Sequence, residues 1–241
     1  MSLYFNYDSI SEIYDELMQF IPYEEWAKYV NELFFKHLGR GYKMIDLGGG
    51  TGSLSIPLSE MGFDALIIDK SHKMLLEAQK KIMGKSVFVL CADIRNMHLK
   101  QKFDMAICMY DTVNHLDEKD IMSFFMNTAD LLRDGGIFMF DFNTDFGLDV
   151  FAFHTQYRNG SSFKSIWKTS YNKNAKVCTL DLAVSDKEGE KNMIFQERAI
   201  SIEEMDFAIS NSGFREKHLY HFLSLSGLKR TSERGMAVCL K

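Results

Sequence analysis

The chain has 241 residues, 46% of them hydrophobic, and 28 basic against 33 acidic side chains give a formal net charge of −5. That length suits one large α/β domain or a core with a modest insertion, and the acidic balance gives no electrostatic case for a nucleic-acid or anionic-membrane partner, which would want a basic face. No apolar run approaches the roughly 20 residues that span a bilayer, and residues 1–6 lack the basic start and apolar stretch of an export leader, so the expected location is cytoplasmic.

Residues 8–38 carry a helical pattern in two pieces. The second has Pro22 in its first turn and Gly39 at its end, the proline-first, glycine-last asymmetry of helices. It aligns Trp26, Val30, Leu33, Phe34 and Leu38 on one face. Residues 42–47 form an apolar strand that ends in Asp46-Leu47 and runs into Gly48-Gly49-Gly50-Thr51-Gly52. Glycine allows positive φ and close approach of main chain to a ligand at a strand-to-helix turn, with Gly48 nearest. Gly52 lets the next helix lie against the strand. The spacing is G-x-G-x-G, and Ser53 stands where a dinucleotide fingerprint would place its last glycine. With Asp46 just ahead, this points away from a pyrophosphate and toward a nucleoside bearing an amino acid, S-adenosylmethionine (SAM). Pro57 fits the helix that follows only within its first turn.

Residues 63–69 read as a second buried strand, ending at Asp69, 17 residues after Gly52. That is close to the ~20 expected of a ribose-binding acid. A carboxylate there accepts from both ribose hydroxyls and repels a 2′-phosphate, which disfavours NADP. Ser71 caps a helix whose inward face includes Met74, Leu75 and Ala78. A third strand, 86–92, leads to Asp93-Ile94, a carboxylate for the adenine amine and an apolar side chain for the ring. A fourth, 103–109, opens into Tyr110-Asp111-Thr112-Val113-Asn114-His115, and a fifth, 137–142, follows a helix end with a glycine turn at Gly135-Gly136. Strand and helix alternating from 42 to 143 argue for a parallel sheet with helices on both faces.

Together these segments resemble the class I SAM-dependent methyltransferases. The matching pieces are D-L-G-G-G-T-G (46–52), I-D-x-S-x-x-M-L (68–75), C-A-D-I (91–94), F-D-M-A-I-C-M-Y-D (103–111) and L-L-R-D-G-G-I-F-M-F-D (131–141). Tyr14-Asp15-Glu16-Leu17-Met18 with Pro22-Tyr23-Glu24-Glu25-Trp26 is similar to the Y-D-x-L-M and P-Y-x-x-W start of a bacterial small-molecule branch. The resemblance implies a doubly wound, seven-stranded, mostly parallel sheet with an antiparallel last strand. It also implies a SAM methyl group transferred to a small molecule by in-line displacement.

The expected roles follow. The main chain at Gly48, Gly49 and Gly50 holds the amino-acid end of SAM, and Asp46 orders that turn or holds the amine. Asp69 holds the ribose, Asp93 the adenine amine and Ile94 the ring. Lys70 and Met74 border the adenine, and the main chain at Met109 and Tyr110 borders the methyl donor. Tyr14 either lies over the cofactor, as the resemblance suggests, or packs in an amphipathic helix. Asp111, Asn114 and His115 fall where the acceptor should enter, and His115 has the pKa of a general base.

Between 144 and 199 the pattern turns to period-2 alternation, with turn signals at Asn159-Gly160, Asn172-Lys173-Asn174 and Lys187-Glu188-Gly189. This predicts an antiparallel β-insertion of three or four strands that covers the acceptor site. The core would then comprise 1–143 and 200–241. Phe151, Phe153, Tyr157, Phe163 and Trp167 either line an acceptor pocket or pack the insertion on its neighbour. Ser201-Ile202-Glu203-Glu204 is a capping box that opens a helix. Two closing strands follow, with 223–234 between them read as a mobile loop.

Cys91, Cys108, Cys178 and Cys239 form no C-x-x-C pair and read as small buried thiols. The seven histidines show no zinc spacing, so no metal is expected. With only Pro22 and Pro57 in the chain, the N-P-P-Y loop of amino-methylating nucleic-acid enzymes is impossible. The remaining alternatives are an NAD-dependent oxidoreductase and a catalytically silent SAM-binding module. Oligomeric state is left between monomer and homodimer.

Overall fold

The computed structural model describes residues 7–241; residues 1–6, and the expectation about a leader, lie outside them. In chain order, 3-10 turns at Tyr7–Ser9 and Ser11–Ile13 lead into α1 (Tyr14–Leu17) and α2 (Tyr23–Lys36). Next come β1 (Lys43–Leu47), α3 (Ser55–Glu60), β2 (Asp64–Asp69), α4 (His72–Lys81), β3 (Val87–Cys91) and β4 (Phe103–Cys108). A 3-10 turn at Thr112–His115 precedes α5 (Glu118–Leu131), β5 (Leu132–Asn143) and α6 (Asp145–Val150). Strands β6 (Thr155–Asn159), β7 (Phe163–Asn172), β8 (Val177–Asp186) and β9 (Gly189–Arg198) follow. The chain closes with α7 (Ile202–Ser210), β10 (Glu216–His221) and β11 (Arg234–Leu240).

The main sheet runs β3-β2-β1-β4-β5-β11-β10, with β1 to β5 parallel and β11 antiparallel to both neighbours. Strand order reverses at β1, which pairs β2 on one side and β4 on the other, so a crevice opens at the carboxyl ends of β1 and β4. The central strands are apolar on both faces, as a sheet covered by helices requires. Ile45, Leu47, Ala106, Phe138 and Phe140 face the α5–α7 side; Met44, Ile67, Met105, Ile107 and Met139 face α2 and α3.

Local signals held where the cause was local. Ser71 Oγ accepts from Met74 N, and Ser201 Oγ accepts from Glu204 N. Pro57 is the third residue of α3, inside its first turn. The four strands β6 to β9 form a separate antiparallel sheet that turns at the three signalled positions. Its Phe163, Trp167, Leu182 and Phe195 pack on Ile10, Tyr14, Leu17 and Met18. Phe163 and Trp167 are therefore packing residues, while Phe151, Phe153 and Tyr157 are exposed.

Several expectations need correction. The first N-terminal helix is two 3-10 turns and a four-residue α1, because this segment follows the cleft rim instead of lying on the sheet. Pro22 is the N-cap residue of α2, one position before its first turn. No glycine turn ends α5: Leu132 continues directly as strand, and Gly135 (φ +77°) sits in a bulge where Phe103 to Met105 face Leu132 to Ile137. Cys91 is exposed because β3 is an edge strand; the other three cysteines are buried. The 223–234 segment is tied down. Ser224 O accepts from Tyr29 Oη at 2.8 Å, and Ser232 O accepts from Thr144 Oγ1 at 2.6 Å. Among the described residues no helix is long and apolar enough to cross a membrane.

Candidate active site

The β1–α3 turn folds back over β2, with Gly48 N and Gly49 N both donating to Ile68 O, at 2.8 and 3.1 Å. Gly48 has φ +82°, and a Cβ there would lie 2.6 Å from Thr112 Cγ2, so both conformation and space demand glycine. A Cβ on Gly52 would lie 2.8 Å from Ile67 Cδ1, which explains the close seat of α3 on the sheet. Gly50 N donates to Asp69 Oδ2 at 3.0 Å and Ser71 N to Asp69 Oδ1 at 2.8 Å. Each carboxylate oxygen thus has one main-chain donor and lone pairs to spare for a diol. Burial raises the Asp69 pKa, and these two donors work against that rise.

Asp46 lies beneath Gly49 and accepts from Ser55 Oγ at 2.6 Å. Its burial pushes the carboxyl up to about 7. It orders the turn from below through Ser55.

A cleft of about 1040 Å³, including its open mouth, sits over this turn. Tyr14, Asp46, Gly48, Gly49, Gly50 and Asp69 line it; so do Lys70, Met74, Asp93, Ile94, Met109 and Tyr110. His115 lines it as well. Asp111 does not: its carboxylate turns into the protein and pairs with Arg234. Asn114 is a buried staple that donates to Asn143 O and Arg198 O at 2.9 and 2.8 Å. Asp93 is engaged by Arg95, whose Nε lies 2.9 Å from Oδ1, and this guanidinium holds the carboxyl below its ordinary range. An adenine amine would have to share that carboxylate.

Tyr7, Trp26, Thr51, Arg95 and Thr112 complete the walls. Trp26 and the neighbouring Tyr23 were signalled by the P-Y-x-x-W segment. Tyr7 carried no signal, and neither did Arg234, whose guanidinium lies 5.2 Å from the Trp26 ring and 5.3 Å from the Tyr110 ring. Tyr110 and Asp111 both adopt left-handed backbone, φ +61° and +51°. Strain of this kind in non-glycine residues persists where surrounding contacts impose it. Asp111 N donates to Asp141, and Arg234 clamps both carboxylates from the last strand.

The N-terminal segment closes over the glycine turn. Asp15 accepts from Thr51 Oγ1 at 2.5 Å and Ser53 Oγ at 3.0 Å, and Asp8 accepts from Ser71 Oγ. The acid of the Y-D-x-L-M segment is therefore a tether between the rim and the turn.

Residues 44–136 match the family described as a methyltransferase domain. The methyltransferase-family protein YqeM of Bacillus subtilis (strain 168) is 30% identical over 217 residues, covering 87% of this chain and 86% of that protein. A SAM-dependent methyltransferase from Clostridium acetobutylicum superposes with a TM-score of 0.83 at 22% identity, covering 97% of this chain and 98% of the other. The chain belongs to the class I SAM-dependent methyltransferases. SAM-bound CalS10, an amino pentose methyltransferase from Micromonospora echinaspora, has the same fold at 17% identity, with a TM-score of 0.74 over all of this chain and 98% of that one. SAM is the cofactor, which sets aside the NAD-dependent oxidoreductase. The cleft fits it: a glycine cradle that side chains would fill, a carboxylate with lone pairs to spare for a diol, and a buried acid of the kind an amine would pair with.

Proposed function

We propose that the protein transfers a methyl group from SAM to a small-molecule acceptor held in the cleft between the carboxyl ends of the main sheet and the N-terminal segment. The observation that carries this reading is the convergence of the glycine turn, Asp69, Ile94 and Tyr110 on one cleft whose far wall is Tyr7 and His115.

When bound, SAM supplies an electrophilic methyl on a sulfonium, already a good leaving group. The chain's contribution is positioning and exclusion of water. Gly48 to Gly50 and Asp46 hold the amino-acid end, Asp69 the ribose, and Asp93 the adenine amine while shared with Arg95. Ile94, Met74 and Lys70 flank the ring. Tyr14, buried against Met74 and the insertion, covers the cleft. Met109 and Tyr110 border the reacting end. Residues 1–143 with 200–241 serve as the cofactor-binding core, and 144–199 as the cover that sets acceptor specificity. His115 faces the acceptor side, and Asp111 supports it from behind.

Calorimetry with S-adenosylhomocysteine, followed by transfer of labelled methyl from SAM into a metabolite extract, tests the reading. Binding and a labelled small product are expected. Absence of binding in folded protein refutes it, and binding without transfer would leave the catalytically silent module.

A further inference from the structure

Tyr23 and Trp26 from α2 and Tyr110 after β4 line the cleft together. Their ring centroids lie 5.9 Å apart for Tyr23 and Trp26, 5.7 Å for Trp26 and Tyr110, and 6.3 Å for Tyr23 and Tyr110. The three rings thus form one continuous panel. In the SAM reading, the cofactor's carboxylate, amine, diol and adenine amine are all met elsewhere, so the polar groups of SAM do not account for this panel.

The panel presents no charge to the cleft. Burial raises the phenol pKa values of Tyr23 and Tyr110, which keeps both neutral. Among the described residues, the acids and strong bases that line the cleft are Asp46, Asp69, Lys70, Asp93 and Arg95, all between β1 and the loop after β3. His115, on the turn after β4, has its pKa lowered by burial, which favours the neutral ring. Arg234 does not line the cleft. It backs the panel, its guanidinium 5.2 Å from the Trp26 ring and 5.3 Å from the Tyr110 ring, with its charge met by Asp111 and Asp141. A guanidinium against a ring draws on the ring's π density. A second cation on the cleft side is therefore disfavoured, and an electron-rich ring is favoured there.

We propose that the methyl acceptor carries an uncharged, electron-rich aromatic ring that stacks on the Tyr23–Trp26–Tyr110 panel. The proposal rests on the SAM reading of the same cleft. A carboxylate or ammonium stacked there would give up water without gaining an opposite charge, which is costly. A sugar would bring several hydroxyls to a panel with few polar groups, and Tyr110 Oη already donates to Met18 Sδ at 3.4 Å. A planar ring needs only area and aromatic faces, and the panel supplies both.

Phenol, cyclohexanol, benzoate and benzylammonium are titrated into the free protein and into its S-adenosylhomocysteine complex. Binding is followed by NMR at the indole N–H signals of Trp26 and Trp167, the two tryptophans of the chain. Phenol should bind about three- to tenfold more tightly than cyclohexanol, which matches its size and hydroxyl but has no π face. It should also bind more tightly than either ion and shift the Trp26 signal by its ring current. Tyr23→Leu should reduce the preference for phenol and leave S-adenosylhomocysteine affinity intact, while Tyr23→Phe should keep the preference. The labelled product formed from SAM in a metabolite extract should absorb in the near ultraviolet as an aromatic compound. The proposal is overturned by no saturable phenol binding, by a preference over cyclohexanol below about twofold, or by tighter binding of either ion. A shift confined to Trp167, a preference unchanged in Tyr23→Leu, or a labelled product without an aromatic ring overturns it equally. Failure of S-adenosylhomocysteine to bind strikes the cofactor reading alone, because the titration of the free protein stands separately.

Discussion

Asp46→Asn should make the ligand-free protein more stable as pH rises, and weaken it as a SAM binder. The Asp46 carboxyl titrates near 7 in the folded chain because burial penalises its charge, against an ordinary 3.8. Between those values the folded state holds a proton that the unfolded state has released, so stability falls with rising pH across that window and the full penalty is present above it. At 1.36 kcal/mol per pH unit, the penalty is about 2 kcal/mol at about pH 5.5 and about 4 kcal/mol at about pH 8. Asparagine removes the titration but keeps an oxygen for Ser55 Oγ. Its amide also costs a constant amount, roughly 1–3 kcal/mol if a buried N–H is left unpaired. That constant cancels when two pH values are compared. Urea unfolding of both proteins should therefore show the stability difference shifting by about 2 kcal/mol in favour of the variant between those two pH values. Parallel pH profiles would refute the placement of Asp46 as an acid whose charge burial penalises. If the carboxylate holds the cofactor's amine as proposed, calorimetry should show weaker S-adenosylhomocysteine binding by the variant.

Gly48→Ala forces a side chain into left-handed backbone and against Thr112, so about 1–2 kcal/mol of stability should be lost, together with most cofactor affinity; urea unfolding and calorimetry measure the two. Asp69→Asn should lower S-adenosylhomocysteine affinity about tenfold through the lost charge-assisted bonds, with some loss of Tm because its NH2 must face the main-chain N–H of Gly50 or Ser71; an unchanged affinity counts against the ribose role. Asp15→Ala unties the rim from Thr51 and Ser53, so stopped-flow should show faster cofactor release with little change in Tm. Arg234→Met leaves Asp111 and Asp141 buried without their cation, for an expected loss of about 3–5 kcal/mol in urea unfolding; a loss under about 1 kcal/mol would mean the clamp is not holding the two acids.

What the chain carried locally was legible. The glycine turn, the Asp69 spacing, the capping serines Ser71 and Ser201 and the turn signals of the insertion each depend on neighbours a few residues away. The parallel sheet with helices on both faces followed from the alternation of strand and helix, and the antiparallel last strand from the family resemblance. Arg95, the partner of Asp93 only two residues on, was not foreseen, because the motif drew attention to a ligand and away from an adjacent guanidinium.

The amino-acid sequence alone thus determined the methyltransferase core, its cofactor and the carboxylates placed at strand ends, since these are set by backbone conformation and short spacing. Only the tertiary structure decided that Cys91 lies on an edge, that Asp111 turns from the cleft into a clamp, and that Tyr7 meets His115. Those pairings join residues 108 positions apart for Tyr7 and His115 and 123 apart for Asp111 and Arg234. Chain folding brings such residues together through the packing of whole elements, and no local pattern in the chain encodes a contact made that way.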